Sequence, residues 1–113
     1  MYYIYIIKCK NGNLYTGITT DVVRRFNEHQ SKGKSSAKYT RANPAVELEA
    51  VWSTSTRALA LKLEYFIKSL NKKRKLELIS NFEYLYEISE DKIQPTDYKF
   101  QPDIISMVNK QKI

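Results

Sequence analysis

The chain has 113 residues, of which 42% are apolar and 27% charged, with a formal net charge of +7 and a single cysteine. That length holds one domain with a modest core. The lone Cys9 excludes an intrachain disulfide and a cysteine-built zinc site, and it reads as a strand residue in a reducing cytosol. No apolar run is long enough to span a bilayer, and Met1 to Ile7 lacks the basic start and cleavage site of a secretory leader. A cytoplasmic protein without a membrane partner is therefore expected.

The charge is uneven. Residues 1–80 carry 15 Lys/Arg and 6 Asp/Glu, so +9, and residues 81–113 carry 4 and 6, so −2. A basic body points to a polyanion, with nucleic acid ahead of an anionic membrane surface; a merely solvated basic surface is the plainer alternative.

In chain order, residues 2–8 are β-branched and aromatic on both alternating faces, which predicts a central strand covered on both sides. Asn11-Gly12 is a hairpin signal, and Leu14 to Ile18 is the returning strand, which brings Tyr5 and Tyr15 close across an antiparallel pair. Thr20 or Asp21 suits a helix N-cap, Val22, Val23 and Phe26 form an apolar stripe, and Gly33 suits the exit. Residues 32–43 read as a basic loop closed by Pro44. Val46 to Thr54 predicts a third strand with Trp52 inside it. The run Ser53 to Thr56 supplies caps for a helix carrying Leu59, Leu63, Phe66, Ile67 and Leu70. Asn71 interrupts, and Lys72 to Ile79 reads as a short basic helix. The acidic remainder, 81–113, has weaker periodicity, although Phe82, Tyr84, Leu85, Tyr86 and Ile88 suggest that part of it packs back.

Hydrolysis of a phosphodiester needs an attacking water, a cation against developing charge and a path for protons. A carboxylate can hold a hard cation, arginine binds phosphate bidentately, and phenol or imidazole can relay protons. The chain offers Tyr5, Tyr15, Arg25 and His29 on one helical face, and Glu64. Each has a plainer role: Tyr3 and Tyr5 as core aromatics, Arg25 as a solvated cation, His29 as a packed residue, Glu64 as the ion-pair partner of Lys68. Singly those roles are favoured; the ordered set is harder to dismiss.

That order resembles the GIY-YIG nuclease superfamily, and most of all its small stand-alone URI-domain members, over about residues 2–79. Tyr3-Ile4-Tyr5 stands in place of the first motif and Tyr15-Thr16-Gly17 in place of the second. Arg25, His29 and Glu64 match the arginine, the histidine and the metal-binding glutamate. Leu14 to Asp21, with Arg24-Arg25 and His29, is the most specific stretch. The sequence departs from the pattern at Tyr3, where the first motif has glycine, and at Ile18, where some DNA-repair relatives place lysine. A late asparagine of some members has no clear counterpart after Glu64.

The resemblance implies an α+β fold, a small three-stranded antiparallel sheet flanked by helices, over a domain at 1–80; the acidic extension at 81–113 has no match to the family pattern and is expected to be dispensable for chemistry. The resemblance implies metal-dependent hydrolysis of DNA, with Tyr5 or Tyr15 acting on the water, Arg25 clamping phosphate, His29 assisting proton transfer and Glu64 holding one Mg²⁺ or Mn²⁺. Lys32, Lys34, Lys38, Tyr39, Arg41, Lys68, Lys72, Lys73 and Lys75 are the expected contacts to nucleic acid. Backbone contacts carry little sequence information, so branched, flap or single-stranded DNA is the expected substrate. The competing classes are a non-cutting nucleic-acid-binding protein on the same fold, with Tyr39 as a stacking platform, and an interaction module whose aromatic tail docks a partner.

Overall fold

A computed structural model describes residues 1–30 and 42–111. The first strand, β1 (Tyr2–Cys9), lies between β2 (Leu14–Thr19) and β3 (Ala45–Thr54), antiparallel to both. Its residues are apolar on both faces because both faces are covered. Ile4 and Ile6 meet Ala50, Trp52 and the helix α2 (Arg57–Lys68) on one side. Tyr5, Ile7 and Cys9 meet Val51, Leu48 and the helix α1 (Val22–Gln30) on the other. The hairpin between β1 and β2 turns at Gly12, whose φ of +85° is costly for any residue with a Cβ.

Local signals set the helix starts. Asp21 Oδ1 accepts from the Arg24 amide at 3.1 Å, so Asp21 is the α1 cap. Thr56 caps α2 by accepting from the Leu59 amide at 3.1 Å, and Asn71 caps α3 (Lys72–Ser80) by accepting from the Arg74 amide at 2.9 Å. The α2 residues Ala60, Leu63 and Ile67 are fully buried, the i, i+3, i+7 stripe that the apolar spacing predicts.

Among the described residues the sheet has four strands rather than the expected three. After α4 (Tyr84–Ile88) and a 3₁₀ turn (Pro95–Asp97), the two-residue β4 (Lys99–Phe100) pairs with Trp52 and Ser53 at the β3 edge. The last helix, α5 (Pro102–Gln111), lies with α1 over the same face of the sheet, with Val108 buried there. Its Asn109 donates to the Leu48 carbonyl at 3.0 Å and accepts from the Leu48 amide at 2.9 Å. Leu48 sits at a register shift between β1 and β3, where the ladder leaves backbone groups to be satisfied from elsewhere. The extension also buries Leu85, Ile93 and Tyr98, and each such apolar side chain contributes about 1.5–3 kcal/mol of transfer free energy. None of the described helices is long and apolar enough to cross a membrane.

Candidate active site

The site is built where β1, β2 and α1 meet. In the β1–β2 ladder Tyr5 stands opposite Gly17, and Tyr15 stands opposite Ile7. Alternation therefore sends Tyr5 and Tyr15 to the same face of the sheet, with the Ile6–Thr16 pair between them. On α1, Val22, Phe26 and His29 form the buried stripe. His29 closes that stripe and is fully buried between the two phenols: its ring centroid is 5.6 Å from that of Tyr5 and 5.2 Å from that of Tyr15. The Tyr5 hydroxyl is 2.7 Å from His29 Nε2.

Gly17 makes this packing possible. A Cβ there would collide with the Tyr5 hydroxyl oxygen and lie 2.6 Å from Tyr5 Cζ. The glycine of the second motif is thus required by the hydroxyl that lies across it.

Electrostatics fix the protonation states. Burial, then the neighbouring Tyr15, pushes the Tyr5 phenol well above its ordinary value, against the pull of Arg25. Burial, then the Arg25 charge, pushes His29 down to about 4. Both groups are neutral at pH 7. The Tyr5 hydroxyl and His29 Nε2 share one short hydrogen bond, and the Arg25 charge acts on the same phenol. Arg25 is itself held by Glu28, Nη1 to Oε1 at 3.0 Å, and Arg24 reaches the other Glu28 oxygen at 3.4 Å.

Glu64 approaches from α2, its carboxylate acting on Tyr5 through its charge. It pairs with Lys68 at 3.3 Å, the ion pair expected from their spacing. Lys68 Nζ also lies 5.9 Å from the Tyr15 ring centroid. Two open grooves flank this centre. One, of about 400 Å³, is lined by Asn13, Leu14, Tyr15, Lys72 and Lys75. The other, of about 390 Å³, is lined by Tyr2, Ile18, Thr19, Thr20, Arg24, Arg25, Glu28 and Arg57.

The structure thus gathers Tyr5, Tyr15, Arg25 and His29 and brings Glu64 within electrostatic reach of Tyr5. Lys72 and Lys75 line a groove with Tyr15, whereas the exposed Lys73 does not. Lys32, Lys34, Lys38, Tyr39 and Arg41 lie outside the described residues. Arg57 escaped the sequence reading, and Arg24 entered it only as part of the family pattern and not as a site residue. A helical-face count would have found Arg57, which lies seven residues before Glu64 and eleven before Lys68, on one α2 stripe.

Residues 1–77 match the profile of the GIY-YIG catalytic domain. The chain belongs to the GIY-YIG family. This is a nuclease family, and membership brings with it nucleic-acid binding in general. UPF0213 protein BH0048 of Halalkalibacterium halodurans is 44% identical over 79 residues, spanning 70% of this chain and 82% of that protein. UPF0213 protein FN1575 of Fusobacterium nucleatum is 41% identical over 80 residues, 70% of this chain and 77% of its own. A solution NMR structure of BH0048 is similar at a TM-score of 0.45, with 43% identity over 71% of this chain and 84% of that one.

The resemblance also implied a divalent cation. Among the described residues no three His, Cys, Asp or Glu side chains converge, and His29 Nε2 is engaged by Tyr5. A cage built from protein ligands alone is therefore absent from the described residues. The donor set still fits a hard cation of the magnesium type, which keeps several waters and takes one carboxylate together with substrate phosphate oxygens. Glu64, with its side chain 18% exposed, is the carboxylate that could hold such a cation, in place of its pairing with Lys68.

Proposed function

We propose that this GIY-YIG domain is a divalent-metal-dependent endonuclease that hydrolyses DNA phosphodiesters, selecting structure rather than sequence. The observation that carries the reading is the 2.7 Å contact between the Tyr5 hydroxyl and neutral His29, with the Arg25 charge acting on the same phenol. Arg25 faces the groove, where it can hold a non-bridging phosphate oxygen. A water beside the Tyr5 hydroxyl gives up its proton to that oxygen as Tyr5 passes its own to His29 Nε2. The water oxygen bonds to phosphorus, the bond from phosphorus to the departing oxygen breaks, and solvent in the open groove protonates the departing oxygen. A relay is needed because the free phenolate is out of reach at neutral pH. Negative charge building on phosphate raises the proton affinity of His29 as the proton arrives. Tyr15 lines the groove and positions the strand. Glu64 would hold Mg²⁺ or Mn²⁺, which when bound offsets charge on the phosphate. Residues 1–80 hold all of these groups, and we assign residues 81–113 to stability rather than chemistry.

The Glu64–Lys68 pair favours a second reading, a non-cutting DNA-binding protein in which the carboxylate is already neutralised. Glu64→Gln separates the two. If Glu64 is the metal ligand, Mg²⁺-dependent cleavage of branched or single-stranded DNA falls by several orders of magnitude. Folding barely changes, because an i,i+4 helix pair with a solvent-facing Lys68 is worth about 0.3–0.5 kcal/mol. Retained cleavage overturns the metal assignment, and no chelator-sensitive cleavage by the wild-type chain leaves the binding reading.

A further inference from the structure

We infer that the groove on the Arg25 side of the site is a second phosphate-binding subsite with Arg57 as its main contact, so that a strand is gripped on both sides of the bond to be cut. This rests on the nuclease reading and adds to it a second contact and a minimum length of substrate. The groove, of about 390 Å³, gathers the guanidinium groups of Arg24, Arg25 and Arg57 beside Thr19 and Thr20, against the one carboxylate of Glu28. The three cations are not equivalent. Glu28 holds Arg25 at 3.0 Å and Arg24 at 3.4 Å, and Asp21 lies 3.9 Å from Arg24. Arg57 is exposed and makes no ion pair with a described residue. It is also the first residue of α2, where a cation opposes the helix dipole, so helix stability does not account for it.

Position along α2 turns this groove into half of a track. Arg57, Glu64 and Lys68 lie on one stripe of the helix. Arg57 to Lys68 spans about 16 Å at 1.5 Å per residue. Beyond Lys68 the second groove begins, with Tyr15, Lys72 and Lys75. The Tyr5, His29 and Glu64 centre lies between the two grooves. At about 3.4 Å per nucleotide of a stacked strand, the stripe covers about five nucleotides. A phosphodiester at the very end of a strand cannot fill both grooves. The geometry therefore assigns an internal cut, with Arg57 holding a phosphate on one side and the lysines one or more on the other.

Binding in chelator, where nothing is cut, tests this with the full chain. Fluorescence anisotropy with labelled single-stranded oligonucleotides of two to ten nucleotides should show affinity rising to about five or six and then levelling. Arg57→Gln should bring that plateau to shorter lengths and lower the slope of log affinity against log salt by about 0.7 for the lost contact. Arg57→Lys should restore the salt slope and only part of the affinity, because the charge returns without the bidentate fork. Melting temperatures of both variants should match the wild type, since Arg57 is exposed. Length and salt dependence unchanged in Arg57→Gln would overturn the subsite while leaving the nuclease reading intact. Inorganic phosphate that binds through Arg57 without affecting oligonucleotides would overturn the strand assignment. No binding of any oligonucleotide by the wild type would overturn both readings.

Discussion

The two flanks of the site are made of opposite materials. On the α1 flank, Tyr5 and His29 are buried, packed against Phe26 and Val22, and joined by a short hydrogen bond. On the α2 and α3 flank, Lys68 and Lys72 are exposed and Glu64 and Lys75 only half-buried, on helices whose opposite faces do the packing. The difference follows from what each flank handles. In the proposed reaction, protons would move along fixed contacts of under 3 Å between groups whose proton affinities burial has moved apart. Phosphates and hydrated cations must enter from water, and the side chains that meet them must be free to change partner. Substitutions on the first flank should therefore damage fold and chemistry together, and those on the second should damage binding or rate alone.

Gly17→Ala should give the largest combined effect. The new Cβ would collide with the Tyr5 hydroxyl and press on Cζ, and neither the ring, fixed between β2 and α1, nor the strand can yield cheaply. Overpacking of this kind costs about 1–3 kcal/mol. Displacing Tyr5 from His29 also breaks the proposed relay, a loss of about 10²–10⁴ in rate. Melting temperature and cleavage rate on the one variant measure both losses. A stable variant that cuts normally would break the link between packing and chemistry that defines this flank.

His29 gives a pH signature, smaller and confined to acid. Its folded value is pushed down to about 4 from an ordinary 6.5. Between those values the unfolded chain binds a proton that the folded chain refuses, so the stability tied to neutral His29 is complete above pH 6.5 and is lost as pH falls toward 4. The unfolding midpoint in denaturant should slide over that window. His29→Gln keeps a partner for the Tyr5 hydroxyl without titrating, and it should remove this part of the slope. The acid limb of kcat/KM should likewise fall near pH 4 rather than 6.5. A limb at 6.5 would show His29 to be wet, and the contrast between the flanks would weaken.

The wet and dry flanks were unequally legible in the sequence. The strands and α2 announce themselves, because a continuous β-branched and aromatic run marks β1, a β-rich run around Trp52 marks β3, and period-3.6 burial marks the Leu63–Ile67 stripe. The gathering of Tyr5, Arg25 and His29 followed from their order, through strand pairing and a single helical turn. Gly17 reads in the sequence only as the end of the second motif, and the register alone shows that it lies under the Tyr5 hydroxyl. Strand β4 has two residues and no period to read, and it exists because the tail folds back on the exposed edge of β3. Asn109 at the Leu48 register shift is a contact across 61 residues, for which local pattern carries no signal. Arg57 was passed over because a lone arginine at a helix start looks like a solvated one until the groove is seen.

The smallest effect expected is the most selective test of the wet flank. Lys72, Lys73 and Lys75 are near neighbours in one helix, and sequence alone cannot rank them. The fold does: Lys72 and Lys75, three apart, line the groove with Tyr15, and Lys73 is exposed elsewhere on α3. Each has the same charge, so long-range attraction of DNA should be nearly equal among the three single variants to Gln. Only a side chain that touches phosphate displaces a bound counterion. Lys72→Gln and Lys75→Gln should each lower the salt slope for duplex DNA by about 0.9, whereas Lys73→Gln should change it little and weaken affinity only modestly at low salt. All three should melt with the wild type, since none is buried. Equal slope changes across the three lysines would mean that α3 attracts DNA as a diffuse charge, and that the groove beside Tyr15 is not where the strand lies.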